Sequence, residues 1–172
     1  VDTEPSRVLF LSLEDSGPVV RHRLANICRE WDIEPEELAN LQVFDGTEDP
    51  ELFATTGRDA GTTTGTYAEL RKLAAGADLV IVDNASDAYG GDEIQRRQVR
   101  AFIRCLKSIA KDNNSAVLLL AHVDKNTSRA RKAEGGEGYS GSTAWHNSVR
   151  SRLFMTRDEA GGLKLEHQKI AA

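Results

Sequence analysis

The sequence has few of the features that mark specialised protein classes. Only two of its 172 residues are cysteines, Cys28 and Cys105, and they are far apart with no metal-ligand spacing. This pattern argues against a disulfide scaffold or a cysteine metal site and indicates free thiols in a reducing compartment. No apolar run approaches the ~20 residues that span a membrane, and no segment resembles a signal peptide. We therefore expect a cytoplasmic location and no membrane partner.

The chain also lacks an excess of positive charge. Its 22 lysines and arginines are outnumbered by 27 aspartates and glutamates, which gives a formal net charge of -5. Bulk electrostatics therefore do not favour a nucleic-acid binder, although a local basic patch could still bind DNA or RNA. The composition is otherwise typical of a soluble globular protein, and the length suits one domain with a sizeable core.

Short apolar runs alternate with amphipathic segments along the chain. Residues 7–13, 78–83 and 115–122 are apolar runs typical of buried strands. Residues 16–31 and 91–113 carry apolar stripes at helical spacing. Two β-type segments flank a glycine turn near the C-terminus, which predicts an antiparallel hairpin. The pattern predicts an α/β fold with a mainly parallel sheet flanked by helices, and the hairpin at one edge of it.

Both tryptophans are expected in the core. Trp31 lies on the apolar stripe of the first helix, and Trp145 lies in a short helical segment before the hairpin. Large aromatic side chains are on average highly buried.

Three of the apolar strands end in a polar side chain. Glu14 and Asp15 follow the first strand, Asp83 ends the second, and His122 ends the third. In open α/β sheets, ligands bind at the carboxyl ends of the parallel strands. A single aspartate at a strand end is more often a turn or helix-cap residue. Because three strands share the feature, a common site is favoured.

These residue types suit the hydrolysis of a nucleoside triphosphate. An aspartate in this place can hold Mg²⁺ through its water shell, and a second carboxylate can act as general base on water. A neutral polar side chain on a third strand can sense the γ-phosphate. Asp83, Glu14 and His122 fit these roles in that order. The phosphate-binding motif G-x-x-x-x-G-K-[ST] is absent, since the glycines of residues 61–66 and 140–143 are not followed by the lysine.

Four segments together resemble a known family. They are VLFLSLED, DLVIVDNASDAY, AVLLLAHVDKN and GSTAWHNSVRSRLFM, and their order and spacing are those of RecA-like ATPases. The likeness is greatest to the RepA-type, DnaB-related replicative helicases of plasmids and phages, and it covers nearly the whole chain. It implies that Glu14 polarises water, that Asp83 is the Walker B aspartate and that His122 is the polar sensor. It also implies ATP and Mg²⁺ as cofactors, single-stranded DNA as a partner, and self-association, most simply as a hexamer.

The resemblance assigns roles to the C-terminal part as well. The segment 123–141 resembles the loop that faces DNA in the central channel of a hexamer, with a plain surface loop as the alternative. Its candidate DNA contacts are Lys125, Arg129, Arg131, Lys132 and Tyr139. The candidate nucleotide contacts are Asp15, Arg150, Arg152 and Lys169, of which Lys169 resembles a residue presented to a neighbouring subunit's nucleotide.

We expect residues 1–172 to be a RecA-like ATPase core that is truncated at its N-terminus, where the phosphate-binding loop of the family would precede VLFLSLED. Whether the C-terminus is also truncated stays open. Two alternatives to a helicase remain. One is a RecA-like ATPase of recombination or regulation, and the other is a catalytically silent DNA-binding or scaffold relative.

Overall fold

The computed structural model describes residues 4–57, 60–122, 143–157 and 161–170. These residues form a four-stranded sheet, a small three-stranded sheet and a separate two-stranded hairpin. The elements of the first half are β1 (Val8–Ser12), α1 (Gly17–Trp31), a 3-10 helix (Pro35–Leu38), β2 (Leu41–Asp45), β3 (Phe53–Ala54), β4 (Thr62–Thr63) and α2 (Gly65–Leu73). The second half has β5 (Leu79–Asp83), α3 (Ala85–Ala88), β6 (Tyr89–Gly90), α4 (Arg96–Asn113), β7 (Ala116–Leu119), α5 (Ala144–Ser148), β8 (Ser151–Arg157) and β9 (Leu163–Ile170).

The main sheet is parallel throughout and has the strand order β2-β1-β5-β7. Its register pairs Ser12 with both Asp45 and Asp83, so the strands end side by side. Helices connect parallel strands because the chain must return to the same end of the sheet before each new strand. The predicted α/β fold with a parallel sheet is confirmed, and the carboxyl ends of β1, β5 and β7 meet at one edge.

Local signals set the bounds of the two long helices. Pro18 occupies the first turn of α1, where its missing N–H costs no hydrogen bond, and Asp32 ends that helix in the left-handed conformation. In α4, the apolar residues at helical spacing face inward as predicted. Those that are buried include Val99, Phe102, Ile103, Leu106 and Ile109.

The core is centred on a group of aromatic rings. Phe102 of α4 lies with its ring centroid 6.0 Å from Phe53, 5.3 Å from Tyr89 and 6.0 Å from Trp145. Such tilted and edge-to-face contacts are the favoured geometries of aromatic pairs. Burial raises the pKa of Tyr89 to about 12, and its hydroxyl donates to the carbonyl of Asp92. The prediction that Trp145 packs on the core is confirmed.

The prediction for Trp31 is wrong. Its side chain is 74% exposed, at the last residue of α1. This helix packs with Val20 and Cys28 inward, and Ile27 is exposed as well. The apolar stripe of α1 is therefore wider than the surface that covers it, and the outer part of the stripe faces solvent.

The C-terminal hairpin is confirmed as an antiparallel pair of β8 and β9. It forms a sheet of its own. A register shift between Arg152 and Leu153 accommodates a bulge in the pairing. Phe154 and Arg152 face inward from β8, whereas Leu153 and Met155 are exposed on the opposite side. Across the parts of the chain that the structure describes, no helix is long and apolar enough to cross a membrane.

Candidate functional site

The strand ends of the main sheet bring the predicted residues to one edge. The strand register pairs Ser12 with Asp83 and Val82 with Leu119. Hydrogen bonds continue past the strand ends, from the amide of Leu13 to the carbonyl of Asp83 at 2.7 Å and from the amide of Leu120 to the carbonyl of Val82 at 3.0 Å. Because these bonds keep the ends of the three strands aligned, the polar residues at those ends lie in one row.

Glu14 contacts two other residues at this edge of the sheet. Its Oε2 lies 3.3 Å from Nε2 of His122 and accepts a hydrogen bond of 2.8 Å from Nδ2 of Asn84. The contacts with His122 and then Asn84 lower the pKa of Glu14 from its ordinary value, since both stabilise the ionised carboxylate. The side chains of Glu14 and His122 are otherwise open to solvent. An ionised and accessible carboxylate of this kind can accept a proton from water.

Asp83 lies beside Glu14, and its pKa is shifted in the opposite direction. Burial raises the pKa of the Asp83 carboxyl, and the charges of Glu14 and Asp15 raise it further. Within the described ranges, no hydrogen bond to the Asp83 carboxylate is found. A carboxylate that is half-buried next to two others is in a negative potential that a divalent cation would relieve.

These observations fit a magnesium ion held through water. No group of three or more histidines, cysteines, aspartates or glutamates in the described residues could hold a metal ion directly. Mg²⁺ usually keeps several waters and takes one or two carboxylates together with substrate phosphates, rather than an all-protein cage. Asp83 supplies one carboxylate of that type, next to the negative charges of Glu14 and Asp15.

Asp15 is held in place by an ion pair with Arg23 of α1. Its backbone carbonyl accepts a hydrogen bond of 2.6 Å from the hydroxyl of Ser12, which fixes the turn after β1. Arg23 therefore partly balances the negative charge of the row, and it is the cation that the sequence reading did not assign to the site.

Replacing Asp83 by Asn is expected to stabilise the protein by about 0.5–1 kcal/mol at pH 7 without Mg²⁺. The folded state raises the pKa of Asp83 above its ordinary value of 3.8, so the ionised form opposes folding. This penalty is complete above the raised pKa and disappears as the pH falls below 3.8. The stability gained by Asp83→Asn should therefore decrease as the pH is lowered from above the raised pKa to below 3.8. Urea unfolding at a series of pH values measures it.

Asp49→Asn is the matched control, because Asp49 is exposed and no hydrogen bond or ion pair of its carboxylate is found among the described residues. It should leave the free energy of unfolding unchanged. A loss of stability in Asp83→Asn at pH 7 would contradict the electrostatic account, since it would mean that the carboxylate makes a stabilising contact.

Arg152 and Lys169 lie together at the junction of the hairpin with α5. They are register partners, and Arg152 donates from Nη1 to Nδ1 of His146 at 3.2 Å. Nζ of Lys169 donates to the carbonyls of His146 and Val149, each at 2.8 Å, and to that of Asn147 at 3.3 Å. Lys169 thus caps the end of α5, as cations do at the carbonyl end of a helix. Arg150 is exposed. Their roles toward a nucleotide stay predictions.

The predicted DNA contacts cannot be placed. Lys125, Arg129, Arg131, Lys132 and Tyr139 all lie outside the described residues. Their role in binding single-stranded DNA stays a prediction.

Asn84, like Arg23, is a site residue that the sequence patterns did not predict. It follows the β5 aspartate and precedes a four-residue helix, so a helix cap was the available signal. Its contact with Glu14 links residues 70 positions apart, which no local pattern reveals.

Comparison with known proteins identifies the family and the fold. A family model described as an AAA domain matches residues 1–128. The structure is similar to that of the RadB recombinase, with a TM-score of 0.60 and 18% identity over 97% of this chain and 71% of that one. It is also similar to a KaiC-like protein from the hyperthermophilic archaeon Pyrococcus horikoshii OT3, with a TM-score of 0.55 and 16% identity.

The second similarity covers 96% of this chain and 65% of the KaiC-like chain, so these 172 residues span about two thirds of that relative. No curated protein matches the sequence. At these identities the structural similarities concern the fold, whereas the family match covers most of the chain. The protein therefore belongs to the AAA domain family, and its fold is that of RecA-like ATPases.

Proposed function

We propose that this protein is the core of a DNA-dependent ATP-hydrolysing motor, of the replicative helicase type. The observation that carries the proposal is the row formed by Glu14, His122 and Asp83 at the carboxyl edge of the parallel sheet. Membership of the AAA domain family supports nucleotide binding. The order of the four sequence segments favours a helicase, and the similarity to a recombinase favours action on DNA.

The residues of the row divide the work of hydrolysis. Glu14 accepts a proton from the attacking water, for which its lowered pKa keeps it ionised. Asp83 would orient the water shell of a bound cation, which would stabilise the ionised carboxylate that burial and the charges of Glu14 and Asp15 disfavour. His122, within hydrogen-bond reach of Glu14, senses the γ-phosphate. Bound Mg²⁺ and ATP would supply the electrophilic phosphorus and charge neutralisation.

The proposal requires a phosphate-binding loop that these 172 residues do not contain. We propose that residues 1–172 are one RecA-like core to which that loop is added in the natural protein. By the family resemblance, the protein self-associates as a hexamer. Arg150 or Arg152, and Lys169, then contribute at the neighbouring subunit's nucleotide. Lys169 would have to exchange its three carbonyl contacts for a phosphate to do so.

Two alternatives are kept because particular observations favour them. The similarity to the RadB recombinase favours a RecA-like ATPase of recombination over a helicase. A catalytically silent DNA-binding or scaffold relative is favoured on the condition that the natural protein has no phosphate-binding loop outside these 172 residues. Both alternatives use the same fold and differ in what the assembled protein does.

We expect the full-length protein to hydrolyse ATP, with single-stranded DNA raising kcat several-fold and with separation of a forked duplex. The measurement combines phosphate release, with and without DNA, and strand displacement. Hydrolysis without strand separation would favour the recombination or regulatory ATPase. DNA binding without hydrolysis would favour the silent relative, and the proposal would then be wrong.

A further inference from the structure

Asn84 is a buried polar residue, and the oxygen and the nitrogen of its carboxamide make different contacts. Its side chain is only 2% exposed. Its Oδ1 accepts hydrogen bonds from the amides of Ser86 at 2.9 Å and Asp87 at 3.2 Å, and from the hydroxyl of Ser86 at 2.6 Å. Because the two amides can only donate, they fix which end of the carboxamide faces α3. The nitrogen is left pointing away from that helix.

The nitrogen end holds Glu14. Nδ2 donates to Oε2 of Glu14 at 2.8 Å, and the same oxygen lies 3.3 Å from Nε2 of His122. In the part of the chain that the structure describes, Oε1 of Glu14 makes no hydrogen bond. One carboxylate oxygen is thus anchored, and the other is available to take a proton from water.

The anchor matters because Glu14 is otherwise weakly restrained. Its side chain is 53% exposed and lies in the turn after β1, so the described residues cover only about half of it. A glutamate in that setting loses side-chain entropy when it is held in one orientation. Asn84 is buried, is held by three donors and is joined to the end of β5, so it provides a rigid support.

We infer that Asn84 is the positioning residue for Glu14, which it holds with Oε1 facing the attacking water. The inference rests on the proposed function, because it assumes that Glu14 is the general base. Capping of α3 needs only the oxygen of Asn84, whereas positioning of Glu14 needs only the nitrogen. The two tasks can therefore be separated by substitution.

Asn84→Asp keeps the capping oxygen and removes the donor to Glu14, whereas Asn84→Ala removes both. In the full-length protein, each is expected to lower kcat for ATP hydrolysis by about 10- to 100-fold, with the KM for ATP changed less than about twofold. Thr64→Ala is the matched control, because Thr64 caps α2 by accepting from the amide of Tyr67 at 3.2 Å. It should leave kcat unchanged. If Asn84→Asp lowered kcat and Asn84→Ala did not, the added charge would be the cause, and the inference would be overturned.

The decisive measurement is a double-mutant cycle with Glu14→Ala. In that background Asn84→Asp should leave the residual single-turnover rate unchanged within about twofold, since the residue it positions is gone. The Tm values of Asn84→Ala, Glu14→Ala and the double variant should also be non-additive, because one hydrogen bond is lost in all three. Equal effects of Asn84→Asp in both backgrounds, or additive Tm shifts, would overturn the inference alone. Full activity in Glu14→Ala would overturn the proposed function and the inference with it.

Discussion

Replacing Glu14 by Gln is expected to lower kcat for ATP hydrolysis by about 10²- to 10⁴-fold while nucleotide binding is retained. Gln has nearly the same shape, and its oxygen can still accept from Nδ2 of Asn84. It cannot take a proton from water, which is the task proposed for the ionised carboxylate of Glu14. Single-turnover phosphate release from the full-length protein measures the rate, and titration with a fluorescent ATP analogue measures binding.

Glu69→Gln is the matched control for this substitution. Glu69 is a half-exposed carboxylate on α2 that pairs with Lys72 one helical turn later, and it should be replaceable without effect on kcat. Full activity in Glu14→Gln would remove Glu14 as the general base. Loss of nucleotide binding together with the rate would instead assign Glu14 to binding.

Replacing Phe102 by Ala is expected to destabilise the fold by about 3–5 kcal/mol. Phe102 is 0% exposed and contacts the rings of Phe53, Tyr89 and Trp145. Its removal leaves a cavity between α4 and the segments that follow β2 and β5, and it breaks three aromatic contacts at once. In a chain of this length, the loss corresponds to a fall in Tm of roughly 6–20 °C. Urea unfolding and a thermal scan measure it.

Trp31→Ala is the informative control, because the sequence places both aromatic residues in the core. Trp31 is 74% exposed, so the free energy of unfolding should change by only about 0.5 kcal/mol. A large loss of stability with Trp31→Ala would mean that this side chain is covered in solution. A small loss with Phe102→Ala would contradict the aromatic core.

The fold is largely predictable from local patterns in this sequence. The runs that become β1, β5 and β7 are apolar on both faces, which predicts strands covered on both sides. That prediction holds for β1 and β5 and is wrong for β7, the edge strand, because Ala116–Leu119 includes no buried residue. The apolar stripe of α4 is strongly periodic, so the burial of that face follows from the sequence. Trp31 could not be placed, because burial depends on whether another element covers a helix face, and the periodicity of α1 carries no information about its neighbours.

The sequence predicts which residues form the candidate site, but it does not predict which of them contact one another. Residue type and place at a strand end identified Glu14, Asp83 and His122. The opposite pKa shifts of Glu14 and Asp83 depend on burial and on charges within a few ångströms, which follow from the register of β1 against β5. Lys169 shows the same limit, because its three carbonyl partners come from a helix about twenty residues earlier in the chain.

The sequence by itself therefore determined the α/β class, the strand ends that carry polar groups, and the resemblance to RecA-like ATPases. These depend on periodicity and residue type, which are local properties of the chain. Only the tertiary structure decided that Asn84 supports Glu14, that Asp83 is the carboxylate whose ionisation is opposed, and that Phe102 is buried while Trp31 is exposed. Each of these depends on which distant segments pack together, because hydrogen bonds, desolvation and charge interactions act over a few ångströms regardless of separation along the chain.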